Sequence, residues 1–191
     1  MSEVVHTFTT KVPRWRPYVT PVRLEEATEE QREAMKITPS NTKVSDYVLT
    51  LAHDPESLAV RSPLFNAIMY GDDGLSRAER ELGAVGASVV NRCVYCAAVH
   101  ASRYNQLAKA PEVIKAIFAA ETKAELEPRN QAIFDFAVAV SNTPPEAAAD
   151  HIAALREQGL TDLEQVDLIL SAAIFGWANR LMHTLGEPVA T

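Results

Sequence analysis

The sequence has little positive charge, few aromatic residues and no long apolar run, and each shortage excludes a class of protein. Its 191 residues carry 18 Lys and Arg against 25 Asp and Glu, a formal net charge of −7, and no basic cluster. Because phosphate binding needs a basic face, nucleic acid is excluded as the main partner. The longest apolar stretch, 166–178, is interrupted by Asp167, Ser171 and Gly176. It is too short to span a bilayer.

Cysteine is also scarce. Cys93 and Cys96 are the only two in the chain. Residues 1–15 lack the apolar segment of a secretory signal, so a cytoplasmic location is expected. In such a reducing compartment a Cys-x-x-Cys pair is typical of a catalytic or metal-binding site and not of a structural disulfide.

The residues that are present favour helices. Apolar residues make up 47% of the chain, aromatic residues only 7%, and alanine is plentiful, which suits closely packed helices better than a β-sandwich. No stretch alternates apolar and polar residues between turns, so no strand is predicted. We predict an all-α protein, a compact orthogonal helical bundle with a single domain over 23–191. An extended N-terminal arm is predicted over 1–22, where Pro13, Pro17 and Pro21 oppose a helix.

Caps and prolines set the predicted helix bounds. Ser62-Pro63 predicts a bend between two short helices, and Ser76 and Thr161 each open a capping box. The predicted helices cover 27–35, 45–53, 56–61, 64–70, 76–90, 92–107, 111–120, 128–141, 146–158 and 161–183.

A short pattern occurs twice. Gly74-Leu75-Ser76-x-x-Glu79 is repeated 85 residues later as Gly159-Leu160-Thr161-x-x-Glu164. Either the chain contains two related helical units, at about 45–120 and 128–187, or the pattern merely closes one helix and opens the next. Two alanine-rich units would share much surface, and we therefore predict a homo-oligomer.

The cysteines and a histidine share one face of a predicted helix. At 100° per residue, Cys96 lies about 60° from Cys93 in projection, and His100 falls between them. Asn91 is the predicted N-cap, which places both thiols in the first two turns. There the helix dipole favours an anion, and a nearby imidazolium could lower a thiol pKa from ~8.5 to ~6.5. The stretch predicts a site for thiolate chemistry.

Glu81 is the candidate acid. It flanks the apolar stripe of the helix that Ser76 opens, and a carboxylate held near a core needs a partner. Two interpretations remain open: Glu81 pairs with His100 as a proton relay, or it is exposed and pairs with Arg77 or with water. A positioned acid or base contributes typically ~10²–10⁴ to a rate.

The pattern Glu81-x11-Cys93-x2-Cys96-x3-His100 resembles the signature of the alkylhydroperoxidase D-like group in the carboxymuconolactone decarboxylase superfamily, and most closely its peroxidase-related branch. The resemblance covers most of residues 45–187 and implies an all-helical dimer, trimer or hexamer that reduces hydroperoxides without a cofactor. It implies that Cys96 attacks the peroxide, that Cys93 resolves the sulfenic acid, and that His100 and Glu81 relay protons. A separate thiol or dithiol would then reduce the disulfide.

One residue departs from the pattern. Tyr95 stands before the second cysteine, where well-studied members can have histidine, and it either contacts the substrate or packs. Its presence puts the substrate and the reductant in question.

Other interpretations remain. The dithiol could exchange with a protein partner, as in a thiol–disulfide oxidoreductase or redox sensor, or the chain could be a helical assembly without enzymatic activity. His53, His151 and His183 are candidate metal ligands. No second ligand pair accompanies the cysteines, so no metal is predicted. Phe175 and Trp177 are predicted in the core or a subunit interface, and Arg180 is predicted to pair with a carboxylate across that interface.

Overall fold

The computed structural model describes residues 3–36 and 43–191 and bears out the all-α prediction. The elements in chain order are β1 (Arg14–Pro17), α1 (Glu29–Ala34), α2 (Asp46–Leu51), α3 (Pro55–Tyr70), α4 (Arg77–Val90), α5 (Val94–Ala108), α6 (Pro111–Ala120), a short 3₁₀ turn (Glu121–Lys123), α7 (Pro128–Ser141), α8 (Ala149–Glu157), α9 (Asp162–Leu185) and β2 (Gly186–Val189).

Helix α4 is the centre of the bundle, and α5, α7 and α9 all pack against it. Every residue from Arg80 to Val89 is buried. Small residues allow this packing: a Cβ added at Gly83 would lie 2.7 Å from the Ser171 hydroxyl, and one at Gly86 would lie 2.9 Å from the Ala137 methyl. Because α9 and α7 approach the α4 backbone so closely, α4 holds its side chains in fixed positions.

Both capping boxes form as predicted. The Ser76 and Thr161 side chains accept from the backbone N–H of Glu79 and Glu164. The carboxylates of Glu79 and Glu164 in turn accept from the backbone N–H of Ser76 and Thr161. These boxes open α4, which carries Glu81, and α9, which carries Phe175. The division into two related units stays a prediction.

Helix α3 differs from the sequence-based prediction. It runs unbroken from Pro55 to Tyr70 with Pro63 inside it, where two helices and a bend were expected. Leu58, Phe65 and Met69 are all buried, and burial of one continuous face outweighs the hydrogen bond that Pro63 removes.

Helix α8 also begins later than predicted, at Ala149. The backbone N–H of Glu146 donates to the Ala139 carbonyl of α7 at 2.8 Å. Glu146 is therefore bonded to α7 and is not part of α8.

The prediction that the chain has no strand is wrong. Arg14–Pro17 pairs antiparallel with Gly186–Val189, so this part of the N-terminal segment is a strand that joins the end of α9. The Trp15 indole donates to the Met182 carbonyl at 3.2 Å and is 7% exposed. A Cβ at Gly186 would lie 2.4 Å from that indole. The arm therefore closes over the region of the two cysteines.

The surface of α9 carries an apolar stripe. Leu163, Val166, Leu170 and Trp177 are 41–54% exposed in the single chain, at the spacing of one helix face. Phe175, in contrast, is buried. The homo-oligomer stays a prediction. Among the described residues, no helix is both long enough and apolar enough to cross a membrane.

Candidate active site

The turn between α4 and α5 positions the cysteines. Helix α4 ends at Val90, and Arg92 adopts a left-handed backbone conformation (φ 57°). Asn91 was predicted to cap the motif helix, but it ends α4, and its side-chain amide donates to the Ala87 carbonyl at 2.8 Å. The N-cap of α5 is Cys93 itself, so Cys96 lies in the first turn, closer to the helix N-terminus than predicted.

The two thiols are reduced and buried: Cys93 is 3% exposed and Cys96 is 5% exposed. They pack in one cluster with Trp15 and Met182. Burial raises the pKa of the Cys96 thiol well above its usual range, and a hydrogen bond with Cys93 raises it further. The predicted lowering of a thiol pKa by the helix terminus is therefore wrong for Cys96. Desolvation of a charged sulfur in this cluster outweighs the helix dipole.

Glu81 and His100 form a buried pair beside the dithiol. Glu81 has no exposed surface, and its Oε2 lies 2.5 Å from Nδ1 of His100. Its other oxygen, Oε1, accepts from Nε of Arg77 at 2.8 Å, and Nη1 of Arg103 lies 4.0 Å away. Of the two interpretations left open by the sequence, exposure of Glu81 is wrong, while both proposed partners, His100 and Arg77, are present.

The environment keeps Glu81 ionised. Burial alone would raise the pKa of its carboxyl group, but His100 and Arg77 outweigh burial and lower that pKa below its ordinary value. An ionised carboxylate accepts hydrogen bonds only, so Nδ1 of His100 donates to it. The other ring nitrogen, Nε2, is then the atom of His100 that can exchange a proton with a substrate.

An aromatic side chain fixes the imidazole. The centroid of the Phe175 ring lies 4.1 Å from that of His100, with 65° between the planes. Phe175 in turn packs edge-on against Phe65 at 5.8 Å. Phe175 of α9 therefore packs against the His100 ring, and Phe65 of α3 packs against Phe175.

Cys96 and His100 line one cavity of about 300 Å³. Tyr95, the candidate substrate contact, also lines it, together with Phe175 and Met182. Its volume is at the lower end of the range for small-molecule sites. A larger groove of about 740 Å³ lies between α1 and α3 but is lined by no cysteine or histidine, so chemistry and not volume identifies the site.

Among the described cavity residues not found from the sequence, two have unpartnered polar atoms. Tyr47 of α2 and Arg61 of α3 line the cavity, and each has a buried polar atom without a hydrogen-bond partner among the described residues. Neither belongs to a chemical motif. The packing of α2 and α3 against α9 brings them to the cavity that Cys96 lines.

The other histidines and Arg180 do not line the cavity. His53 contacts the Thr20 carbonyl and His183 the Asn91 carbonyl, while His151 accepts from the Ala148 amide. Within residues 3–36 and 43–191, no group of three or more His, Cys, Asp and Glu side chains is arranged to hold a metal ion. In the single chain, Arg180 donates to the Gly176 carbonyl and the Thr143 hydroxyl.

The fold and the motif define an all-helical protein with a buried Cys-x-x-Cys dithiol. The family model for the carboxymuconolactone decarboxylase family matches residues 55–122. A solved structure from Ralstonia eutropha, described as an alkylhydroperoxidase AhpD core and uncharacterized peroxidase-related protein, is 32% identical with a TM-score of 0.76. The match covers 91% of this chain and 90% of that one. The chain therefore belongs to the alkylhydroperoxidase D-like group of the carboxymuconolactone decarboxylase superfamily.

Two other solved structures share the fold. An uncharacterized peroxidase-related protein from a Silicibacter species is 24% identical over 92% of this chain and 95% of its own, with a TM-score of 0.74. A debrominase is 18% identical over 88% of this chain and 90% of its own, with a TM-score of 0.73. No match was found among curated proteins.

Proposed function

We propose that this protein is a thiol-dependent peroxidase that reduces organic hydroperoxides through Cys96 and Cys93. The observation that carries the proposal is the buried pair of Glu81 and His100 at the cavity that Cys96 lines. A structural dithiol has no need of an ionised, fully buried carboxylate held against an imidazole. A reaction that moves protons does.

The raised pKa of Cys96 makes a base necessary in this scheme. At neutral pH the resting group is a neutral thiol, and the nucleophile is the thiolate. Nε2 of His100 takes the thiol proton as the sulfur attacks, and Glu81 stabilises the imidazolium that forms. In this scheme, His100 bonds the Glu81 carboxylate through Nδ1 and takes the proton of the Cys96 thiol at Nε2.

The first step transfers one oxygen atom. The Cys96 sulfur bonds to the terminal oxygen of the hydroperoxide, the O–O bond breaks, and the departing alkoxide receives the proton held by His100. The products are a sulfenic acid on Cys96 and an alcohol, and no outside proton is needed. Cys96 is oxidised and the peroxide is reduced by two electrons.

The second step closes the disulfide. The Cys93 sulfur attacks the Cys96 sulfenic sulfur, and the sulfenic oxygen leaves as water together with the Cys93 proton. The packing of both cysteines in one buried cluster supports this step because it keeps the two residues close together. A separate dithiol then reduces the disulfide by exchange and is itself oxidised. A reducing cytoplasm, as expected from the sequence, would supply such thiols.

The test is a single-turnover oxidation of the reduced protein by cumene hydroperoxide, followed by thiol titration. We expect one equivalent of peroxide to remove both thiols of the wild type. Cys93→Ser should stop at a sulfenic acid that dimedone traps, and Cys96→Ser should not react. Full peroxide turnover by Cys96→Ser would overturn the mechanism.

The competing function is exchange with a protein disulfide. It predicts faster oxidation by thioredoxin-like proteins than by a hydroperoxide. The burial of both sulfurs and the small cavity support a small-molecule oxidant, because a protein disulfide must reach the sulfur that it exchanges with. Rates of thiol loss with the two oxidants, measured at equal concentration, distinguish the two functions.

A further inference from the structure

In the described part of the chain, the cavity that Cys96 lines has a cation without a counterion. Arg61 of α3 is partly buried and lines the cavity, and its guanidinium carbon lies 4.4 Å from the centroid of the Phe65 ring. Its Nε is buried and lacks a hydrogen-bond partner, and no carboxylate pairs with it among the described residues. Burial lowers the pKa of Arg61, but arginine keeps its charge in proteins.

Arg80, another buried arginine of this protein, has a carboxylate partner and carbonyl acceptors. It is 2% exposed, and Nη2 lies 2.8 Å from the Asp167 carboxylate. Two further bonds go to the Gly71 and Asp73 carbonyls. Its Nε, like that of Arg61, is buried without a partner among the described residues, so the two arginines differ in the carboxylate and not in Nε. An arginine in a partly buried position without such partners costs stability. The lack of a comparable partner for Arg61 within residues 3–36 and 43–191 indicates a group that arrives from solution.

Tyr47 offers a second unused group at the same cavity. Its hydroxyl is buried without a partner, and its ring packs edge-on against Trp15 at 5.8 Å. Burial raises the pKa of Tyr47, so the phenol stays neutral and can donate a hydrogen bond. A donor and a cation on one wall suit an oxyanion.

The remaining charges at the cavity have the same sign. Lys43 and Arg103 also line it, and no carboxylate does so among the described residues. Glu81 does not line the cavity, and its carboxylate is bonded to His100 and to Arg77. The cavity therefore attracts an anion, and Arg61 is a partly buried cation there for which the described residues supply no carboxylate partner.

We propose that Arg61 and Tyr47 form a carboxylate subsite, and that the preferred hydroperoxide bears a carboxylate at one end and the –OOH group at the other. The inference rests on the proposed peroxidase function and names the substrate class for that site. The carboxylate binds Arg61 and accepts from the Tyr47 hydroxyl, which leaves the peroxide to reach Cys96.

The test compares three hydroperoxides of nearly equal size: cumene hydroperoxide, its para-carboxylate and its para-carboxamide. Each oxidises the reduced protein in a single turnover without reductant, so a carboxylate on a reductant cannot contribute. A charge-assisted hydrogen bond is worth about 1.5–3 kcal/mol, and every 1.4 kcal/mol is tenfold. We therefore expect the carboxylate to react about 10–100-fold faster than the carboxamide at low concentration.

Variants assign the preference to Arg61. Arg61→Gln should reduce the carboxylate-to-carboxamide ratio nearly to one, and Arg61→Lys should keep part of it. Arg156→Gln, which changes net charge equally but lies on α8 with an exposed ion pair to Asp162, should keep the wild-type ratio. An unchanged ratio in a folded Arg61→Gln protein would overturn the assignment.

A binding measurement separates this inference from the peroxidase itself. Calorimetry with 4-isopropylbenzoate and its amide involves no redox step, and we expect the wild type to bind the benzoate at least tenfold more tightly. Equal binding, together with equal rates for the carboxylate and the carboxamide, would overturn the subsite and leave the peroxidase standing. If no hydroperoxide oxidises the thiols, the peroxidase fails, while preferential benzoate binding would still support the anion site.

Discussion

Replacing Glu81 by glutamine is the most direct test of the site. The change keeps the shape of the side chain but removes the charge that His100 and Arg77 face. The neutral amide cannot stabilise an imidazolium, so His100 becomes a weaker base for a thiol whose pKa is already raised. A positioned acid or base accelerates a reaction by a factor of ~10²–10⁴. We expect the second-order rate constant for cumene hydroperoxide to fall by about that factor.

The same change costs stability. Removing one partner of a buried ion pair costs about 3–5 kcal/mol. The Arg77 side chain is 22% exposed and can be rehydrated, so a loss near the low end, about 3 kcal/mol, is expected from urea unfolding at pH 7. Because the folded pKa of Glu81 is below its unfolded value of about 4.3, this contribution is complete above pH 4.3. It is lost as the pH falls through the folded pKa, and the two proteins should converge in acid.

Glu79→Gln is the matched control. Glu79 lies on the same helix, is bonded to Arg129 at 2.6 Å and closes the capping box with Ser76. Glutamine also serves at that position of a capping box, and no bond from Glu79 to His100 is found. Its peroxide rate should stay within about threefold of the wild type. If folded Glu81→Gln is equally active, Glu81 takes no part in proton transfer and the relay is wrong.

Three further results are expected. Alkylation of resting Cys96 by iodoacetamide, followed by mass spectrometry, should be slow at pH 7 and still rise above pH 9, because burial raises its pKa; a plateau near neutral pH would contradict this. The same shift stabilises the fold fully below the unfolded thiol pKa of about 8.5 and progressively less above it. Asp167→Asn breaks the buried pair with Arg80 and should lower the free energy of unfolding by about 3–5 kcal/mol, without changing the peroxide rate of the folded fraction. Trp177→Glu, on the exposed stripe of α9, should shift the predicted oligomer toward monomer in sedimentation velocity, and an unchanged distribution would exclude that face as the interface.

Local signals in the sequence predicted most of the helices. Capping boxes at Ser76 and Thr161 and prolines at 111 and 128 act within one turn of a helix, so their effect could be read without tertiary structure. The misses have non-local causes. Helix α3 continues through Pro63 because its apolar face is buried against other helices. Strand β1 forms only because it pairs with β2, which lies more than 160 residues away in the chain.

The candidate site divides in the same way. The spacing from Cys93 to His100 places three groups on one helix, and the structure keeps them together. Whether Glu81 was buried could not be decided, because that depends on how closely α5 and α9 approach α4. Tyr47 and Arg61 left no trace in the sequence, since each comes from a different helix and neither belongs to a motif.

The thiol pKa is where local reasoning failed, and the failure bears on mechanism. A thiol at a helix N-terminus should ionise easily, yet Cys96 is buried and its pKa is raised. A permanently ionised sulfur would react with many small electrophiles, whereas a neutral thiol needs a base at the moment of attack. Because His100 lines the cavity that Cys96 lines, such a thiol would react fastest with an oxidant held there whose leaving group needs a proton. Selectivity for hydroperoxides over alkylating agents would then come from the proton relay and not from the nucleophile.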